Sequence, residues 1–407
     1  MIRYRQAAFA AALALILSAS GALAQKHYDP GASDTEIKIG NIMSYSGPAS
    51  AYGVIGKTEA AYFAMINAQG GINGRKIAFL SYDDGYSPPK AVEQARRLVE
   101  NDQVLLIFQS LGTPSNSAIH AYMNERKVPQ LFPATGATKW ADPEHFPWTM
   151  GWQPNYQSEG RIYAKYLLAN NAGGKVALLY QNDDYGKDLL KGLTDGFGYQ
   201  AKATIVAEAS FEVSDPTVDP QIIQLAASHA DIFINIATPK FAAQAIRKVA
   251  ETGWKPPVNI VNAVANSIAA VLKPAGLDSA KGLLSTAYVK DPTDPSWQND
   301  KDYRDWVAFM DKYYPDGDKT NSFTVYGYIS SELMVQVLRQ CGDDLTRANV
   351  MKQAASLKDF AAPMLLPGIK ANTSATDFRP VKQMQMERFD GTTWQLYGPV
   401  ISGEAGS

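Results

Sequence analysis

The stretch from Ile37 to Asp84 constrains the fold more than any other part of the chain, because it reads as one complete βαβ unit. Ile37, Ile39 and Ile42 suit a buried strand, Ser44 to Ser50 a Gly/Pro/Ser turn, Ala51 to Ala68 a helix and Lys76 to Tyr82 a second strand. Gly70, Gly71 and Gly74 supply the helix stop and tight turn between them. Parallel strands joined by a helix demand a sheet covered on both faces. The same alternation continues along the chain. Pro88 to Glu100 reads as a helix, Val104 to Phe108 as a strand, about Ser115 to Arg126 as a helix and Gln130 to Phe132 as a short strand.

After a Pro- and Trp-rich passage, Phe146 to Asn155, the pattern restarts. Helices are expected over Glu159 to Asn170, Tyr185 to Phe197, Gln221 to His229 and Pro239 to Glu251. Strands are expected over Lys175 to Tyr180, Thr204 to Ala209, Ile232 to Ile236 and Val258 to Val261. Residues near 287 to 360 are mostly helical, and Val381 to Phe389 with Thr393 to Leu396 form a closing hairpin around Asp390-Gly391. The expected fold is therefore α/β, with two similar doubly wound parallel-sheet halves in tandem.

Arg3 and Arg5, an apolar run from Ala7 to Leu17 and the small-x-small site Ala22-Leu23-Ala24 predict a secretory signal peptide over residues 1–24. No Cys follows that site, which argues against a lipid anchor there, and no later run approaches the roughly 20 apolar residues of a spanning helix. A soluble protein exported to the periplasm is expected. A net charge of −2 argues against nucleic acid or an anionic membrane as partner. With 46% hydrophobic and 19% charged residues, the chain has enough apolar content for the cores of two domains. Cys341 is the only cysteine, so no intrachain disulfide forms, and a buried helical thiol is expected.

Catalytic and cofactor signatures are weak. Gly56-Lys57-Thr58 resembles the end of a phosphate loop, but Ala51 stands where its first glycine is needed. The four histidines, His27, His120, His145 and His229, lack metal-ligand spacing, and His120 and His229 are read as exposed on helix faces. Asp83-Asp84 and Asp183-Asp184 follow strands, where they are read as caps of the next turn or helix. No cofactor, metal or catalytic residue is expected. What stands out is a set of hydroxyl-, glycine- and tyrosine-rich stretches at predicted strand C-termini, where open α/β sheets bind ligands. They are Ser44 to Pro48 with Tyr52, Gln109 to Ser115, Pro133 to Ala137, Asn182 to Gly186 and Ala237 to Pro239.

These residues resemble the substrate-binding proteins of branched-chain amino acid type ABC transporters. The matching pieces are Ser46-Gly47-Pro48 with Tyr52-Gly53, the run Ile66 to Gly74, Tyr82-Asp83-Asp84, Pro129 to Thr138 and Asp184-Tyr185-Gly186. The resemblance implies a type I periplasmic binding protein whose two lobes are joined by three crossovers. It places residues 35–153 with 288–363 in one lobe and 154–287 with 364–407 in the other. It further implies a monomer that closes on a small carboxylate-bearing ligand and presents it to an inner-membrane ABC permease complex.

Carried onto this chain, the family's carboxylate-holding positions fall on Thr113, Ala134 and Gly136, the last departing from a common Thr. Its aromatic positions fall on Tyr52 and Tyr185, and its second-lobe backbone contact on Thr238. The acid that pairs with a ligand ammonium is replaced by Asn262, which disfavours an α-amino acid, since an amide offsets only part of the cost of burying a cation. Trp152, Tyr156 and Tyr326 add stacking faces, with packing of a crossover the alternative for Trp152 and Tyr156. The expected ligand is an aromatic acid lacking an α-amino group. Alternatives are a branched-chain or other amino acid or amide, a sensor ectodomain sharing the fold, and a secreted enzyme.

Overall fold

The computed structural model describes residues 26–404. The expected signal peptide lies outside the described residues. Among the described residues two large sheets organise the chain, beside a two-stranded parallel pair of His27–Tyr28 with Asp344–Leu345. The first has five strands, β1 (Glu36–Met43), β2 (Lys76–Asp83), β3 (Leu106–Phe108), β4 (Gln130–Leu131) and β5 (Thr149–Met150), in the order β2-β1-β3-β4-β5, all parallel. The second has seven: β6 (Val176–Gln181), β7 (Ile205–Phe211), β8 (Ile232–Ile236), β9 (Val258–Val261), β10 (Leu284–Ala287), β11 (Gln383–Phe389) and β12 (Trp394–Ser402), in the order β12-β11-β10-β9-β8-β6-β7. Only the hairpin β11–β12 runs antiparallel to its neighbours.

Among the described residues, ten α-helices of eight residues or more cover these sheets. The first lobe's segment before β5 carries α1 (Gly53–Ala68), α2 (Pro88–Arg96) and α3 (Thr113–Glu125). Between β5 and β10 lie α4 (Tyr156–Asn170), α5 (Asp184–Phe197), α6 (Asp219–Ala226) and α7 (Pro239–Thr252). The segment between β10 and β11 forms α8 (Lys301–Tyr313), α9 (Ser322–Cys341) and α10 (Arg347–Ala354). Helices α8 and α9 pack on α1, and α10 on α9, so the chain returns to the first sheet before β11 carries it back to the second. The chain thus passes between the sheets three times. Gly327 is what lets α9 cross α1 so closely: a Cβ there would meet the Ile55 carbonyl oxygen and Thr58 Cβ, each at 2.9 Å.

Strand order sets where a ligand fits. The first sheet reverses direction between β1 and β3, and the second between β6 and β8, which opens a crevice outside their carboxyl ends. The sequence reading missed β5 and β10 and ended β12 six residues early; elsewhere the boundaries differ by a few residues, with one informative case. Helix α6 stops at Ala226, and His229 follows it with a left-handed φ of 51°, exposed in a turn rather than on the helix. His120, expected to be exposed, is only 6% exposed; its ring stacks on Phe146 with centroids 4.0 Å apart. Burial, with Lys139 nearby, pushes its pKa down to about 4. Cys341 is buried at the end of α9, donating to the Val337 carbonyl.

Candidate functional site

A cavity of about 980 Å3, open solvent at its mouth included, lies between the carboxyl ends of the two sheets. Its walls come from both lobes. The first contributes Tyr52, Tyr86, Leu111 to Thr113, Ala134 and, from α9, Phe323 and Tyr326; the second contributes Tyr156, Glu159, Tyr185, Thr238, Ala263 and Val264. Residues near the crossovers, Tyr288, Asp291 and Glu387 among them, complete the lining.

Two helix starts border this space. Helix α3 begins at Thr113 after Gly112, whose position carries no side-chain cap, and α7 begins after Thr238, which likewise makes no capping bond. The first amide N–H groups of a helix have no partner within it and carry its positive pole. Thr113 and Thr135 share a hydroxyl hydrogen bond of 2.6 Å, and Thr238 donates to Gln181 Oε1 at 3.1 Å. Three residues that follow strands of the first sheet hold left-handed backbone: Tyr86 (φ 61°), Gln109 (φ 54°) and Phe132 (φ 57°). Each costs of order 1–3 kcal/mol for a non-glycine residue, and such strain collects where geometry is fixed for binding.

The aromatic faces pair across the cavity wall. Tyr52 and Phe323 have ring centroids 4.9 Å apart, and Tyr156 lies edge-on to Tyr185 at the same separation. Burial pushes the phenols of Tyr52, Tyr86, Tyr185 and Tyr288 well above their ordinary range, so they stay neutral donors. The lobes meet across the cleft mouth. Tyr52 Oη donates to the Val264 carbonyl at 2.8 Å, Lys139 pairs with Asp184 at 2.6 Å, and Asp188 accepts from the Thr138 N–H and hydroxyl at 2.7 and 2.8 Å.

Of the residues expected to bind ligand, Tyr52, Thr113, Ala134, Tyr185, Thr238 and Tyr326 line the cavity, as does Tyr156. Three do not. Trp152, 1% exposed, stands behind the wall, where its indole N–H donates to Tyr326 Oη at 2.8 Å and its ring packs on Tyr288. Gly136 serves a close approach: a Cβ there would lie 2.8 Å from the Pro154 carbonyl oxygen and 2.9 Å from the Tyr156 ring. Its departure from Thr is therefore explained by packing against the crossover, not by a lost donor. Asn262 is fully buried, with its amide donating to Tyr185 Oη and its Oδ1 lacking a partner.

Asp83, Asp84 and Asp183 act as the sequence suggests, whereas Asp184 pairs with Lys139 instead of capping. Asp83 accepts from the Tyr45, Ser46 and Gly85 N–H groups, Asp84 accepts from the Ser44 and Ser115 hydroxyls, and Asp183 caps α5. The acids that do face the cavity were not singled out by the sequence. Glu159, 2% exposed, accepts from Tyr163 Oη at 2.7 Å and the Ala263 N–H at 2.8 Å, and burial raises its pKa. Burial pushes Asp291 up to about 6, and burial together with Asp291 pushes Glu387 up to about 8. Among the described residues, no Lys, Arg or His lines the cavity. Nothing local flags these acids: Glu387 sits in a strand run, Gln-Met-Gln-Met-Glu-Arg, whose polar positions read as solvent-facing.

Known proteins share this architecture. The Leu/Ile/Val-binding protein of Escherichia coli strain K12 is 24% identical over 264 residues, 62% of this chain and 67% of that protein. The structure of a branched chain amino acid ABC transporter protein from Thermus thermophilus with bound valine superposes with a TM-score of 0.81 at 14% identity, covering 91% of this chain and 97% of that one. A fatty acid ABC transporter substrate-binding protein from Thermomonospora curvata superposes with a TM-score of 0.76 at 20% identity, covering 93% and 95%. The same two-lobed frame thus appears in proteins named for different ligands. The family model described as periplasmic binding protein matches residues 36–393, and this chain belongs to that family of binding proteins.

Proposed function

We propose that the protein is the periplasmic solute receptor of an ABC importer, which closes its lobes on a small carboxylate-bearing ligand and delivers it to an inner-membrane permease. The lobes are taken as residues 35–153 with 288–363 and residues 154–287 with 364–407, working as a monomer. The observation that carries this reading is the cavity shared by the carboxyl ends of both sheets, with bonds from lobe to lobe at its mouth. Such bonds form only when the lobes are together, so a ligand that touches both lobes favours closure by its extra contacts in that state.

The α3 N-terminus at Thr113 suits a carboxylate, because its unpartnered N–H groups and the helix pole favour an anion, while the N–H of Ala134 beside it donates to the Ser110 carbonyl at 2.8 Å. The faces of Tyr52, Tyr156, Tyr185 and Phe323 suit an aromatic ring. A second reading, an α-amino acid, is favoured by Glu159, which lines the cavity next to Ala263 and offers the carboxylate that Asn262 does not. A thermal-shift panel separates the two. Stabilisation by benzoates, cinnamates or phenylacetates supports the aromatic acid; stabilisation by leucine or valine and by none of those acids overturns it. Mass spectrometry of ligand copurified with the protein identifies the cargo directly.

A further inference from the structure

The part of the cavity lining that comes from β11 and the crossover after β10 carries two carboxyls, Asp291 and Glu387, beside Tyr288. Glu387, in the middle of β11, is 1% exposed and lines the cavity. One of its carboxyl oxygens accepts from Asn266 Nδ2 at 2.8 Å; among the described residues no donor is placed on the other. Asp291 lines the same end and spends one oxygen on the Thr293 N–H at 2.8 Å and on the Thr293 hydroxyl, again with no donor placed on its second oxygen.

The neighbouring cations are committed elsewhere. Lys290 Nζ sits on Asp300 at 2.7 Å and Asp302 at 3.1 Å, and the Arg388 guanidinium lies over the Tyr397 ring. Asp291 disfavours the charge of the buried Glu387, as Asp294 does that of the half-buried Asp291, and such an arrangement gains nothing for the fold. A buried acid pair of structural origin would be met by donors on each oxygen. No group of three or more ligating side chains that would hold a metal ion occurs among the described residues, so a metal does not account for the pair.

We propose that the Asp291–Glu387 end of the cleft is a subsite for a cationic hydrogen-bond donor on the ligand, an amine or amidine set away from its carboxylate. This rests on the receptor reading above and sharpens its ligand class. The cargo is then a bifunctional acid, with its carboxylate at the α3 N-terminus and its cationic group at the far end. The arrangement also resolves a conflict of charge. A plain monoacid would enter a cavity lined by Glu159, Asp291 and Glu387 and by no Lys, Arg or His among the described residues, whereas a distal ammonium supplies the counter-charge that favours release of the proton Glu387 holds in the ligand-free chain.

The test uses three probes on the mature protein, read by titration calorimetry and thermal shift: 4-(aminomethyl)benzoate, its uncharged skeletal match 4-ethylbenzoate, and benzylamine. The amino acid probe is expected to bind at least about tenfold more tightly than 4-ethylbenzoate. Glu387→Gln, which keeps the Asn266 contact, and Asp291→Asn, which keeps the Thr293 contacts, are each expected to abolish that preference by weakening the binding of 4-(aminomethyl)benzoate at least about tenfold. Equal binding of the two acids, unchanged in both variants, overturns the subsite and leaves the carboxylate reading standing. Binding of benzylamine with no binding of either acid supports the subsite and overturns the carboxylate end. Binding of none of the three overturns both.

Discussion

Glu387 ties the chemistry of the cleft to the stability of the protein. Its carboxyl, held near 8 by burial and by Asp291, keeps its proton in the folded chain over a range where an ordinary glutamate, near 4.5, has lost it. Folding is therefore unpenalised by this group below about pH 4.5 and loses stability as pH rises towards 8, by up to about 1.4 kcal/mol per pH unit. Ligand-free wild type is expected to show a falling unfolding temperature across that window, and Glu387→Gln a shallower fall; parallel profiles would show that the group is not held neutral. Gly136→Thr, which puts back the hydroxyl residue common in the resembled family, is expected to destabilise by about 1–3 kcal/mol, because Pro154 and Tyr156 occupy the space of its side chain. Chemical denaturation measures this directly, and a neutral result would mean the crossover yields.

At the scale of elements, the link between α5 and the first lobe is the clearest lever on closure. Asp188 on α5 takes two hydrogen bonds from Thr138 and one from Gln157, and Asp184 pairs with Lys139. Removing a charged acceptor of this kind costs about 1–3 kcal/mol when buried and less when half-exposed, as Asp188 is. Asp188→Ala is expected to weaken ligand binding by about three- to tenfold through the closed state alone, with little change in unfolding of the ligand-free protein. A large loss of ligand-free stability would assign Asp188 to the fold of α5 instead. Most elements were legible in sequence because each has its own signal: the 3.6-residue apolar spacing of α7, the Pro at the start of α2, the Asp-Gly turn of the β11–β12 hairpin. Helix α6 and His229 show the limit, since a turn with left-handed backbone carried the apolar pattern no further than Ala226.

For the whole molecule, the receptor reading requires two arrangements of the lobes. Small-angle scattering is expected to give a smaller radius of gyration with a stabilising ligand than without it, and an unchanged radius would remove hinge closure from the reading. The sequence by itself determined the two α/β halves, the strand ends that border the cleft and the family, because strand and helix periodicities, turn glycines and the Ile66 to Gly74 run are local properties of the chain. Only the tertiary structure decided which side chains face the ligand. It placed Trp152, Gly136 and Asn262 behind the wall and brought Glu159, Asp291 and Glu387 into it. Asp291 and Glu387 stand 96 residues apart in the chain, on a crossover and a returning hairpin, and no local pattern encodes that the two segments converge on one cavity.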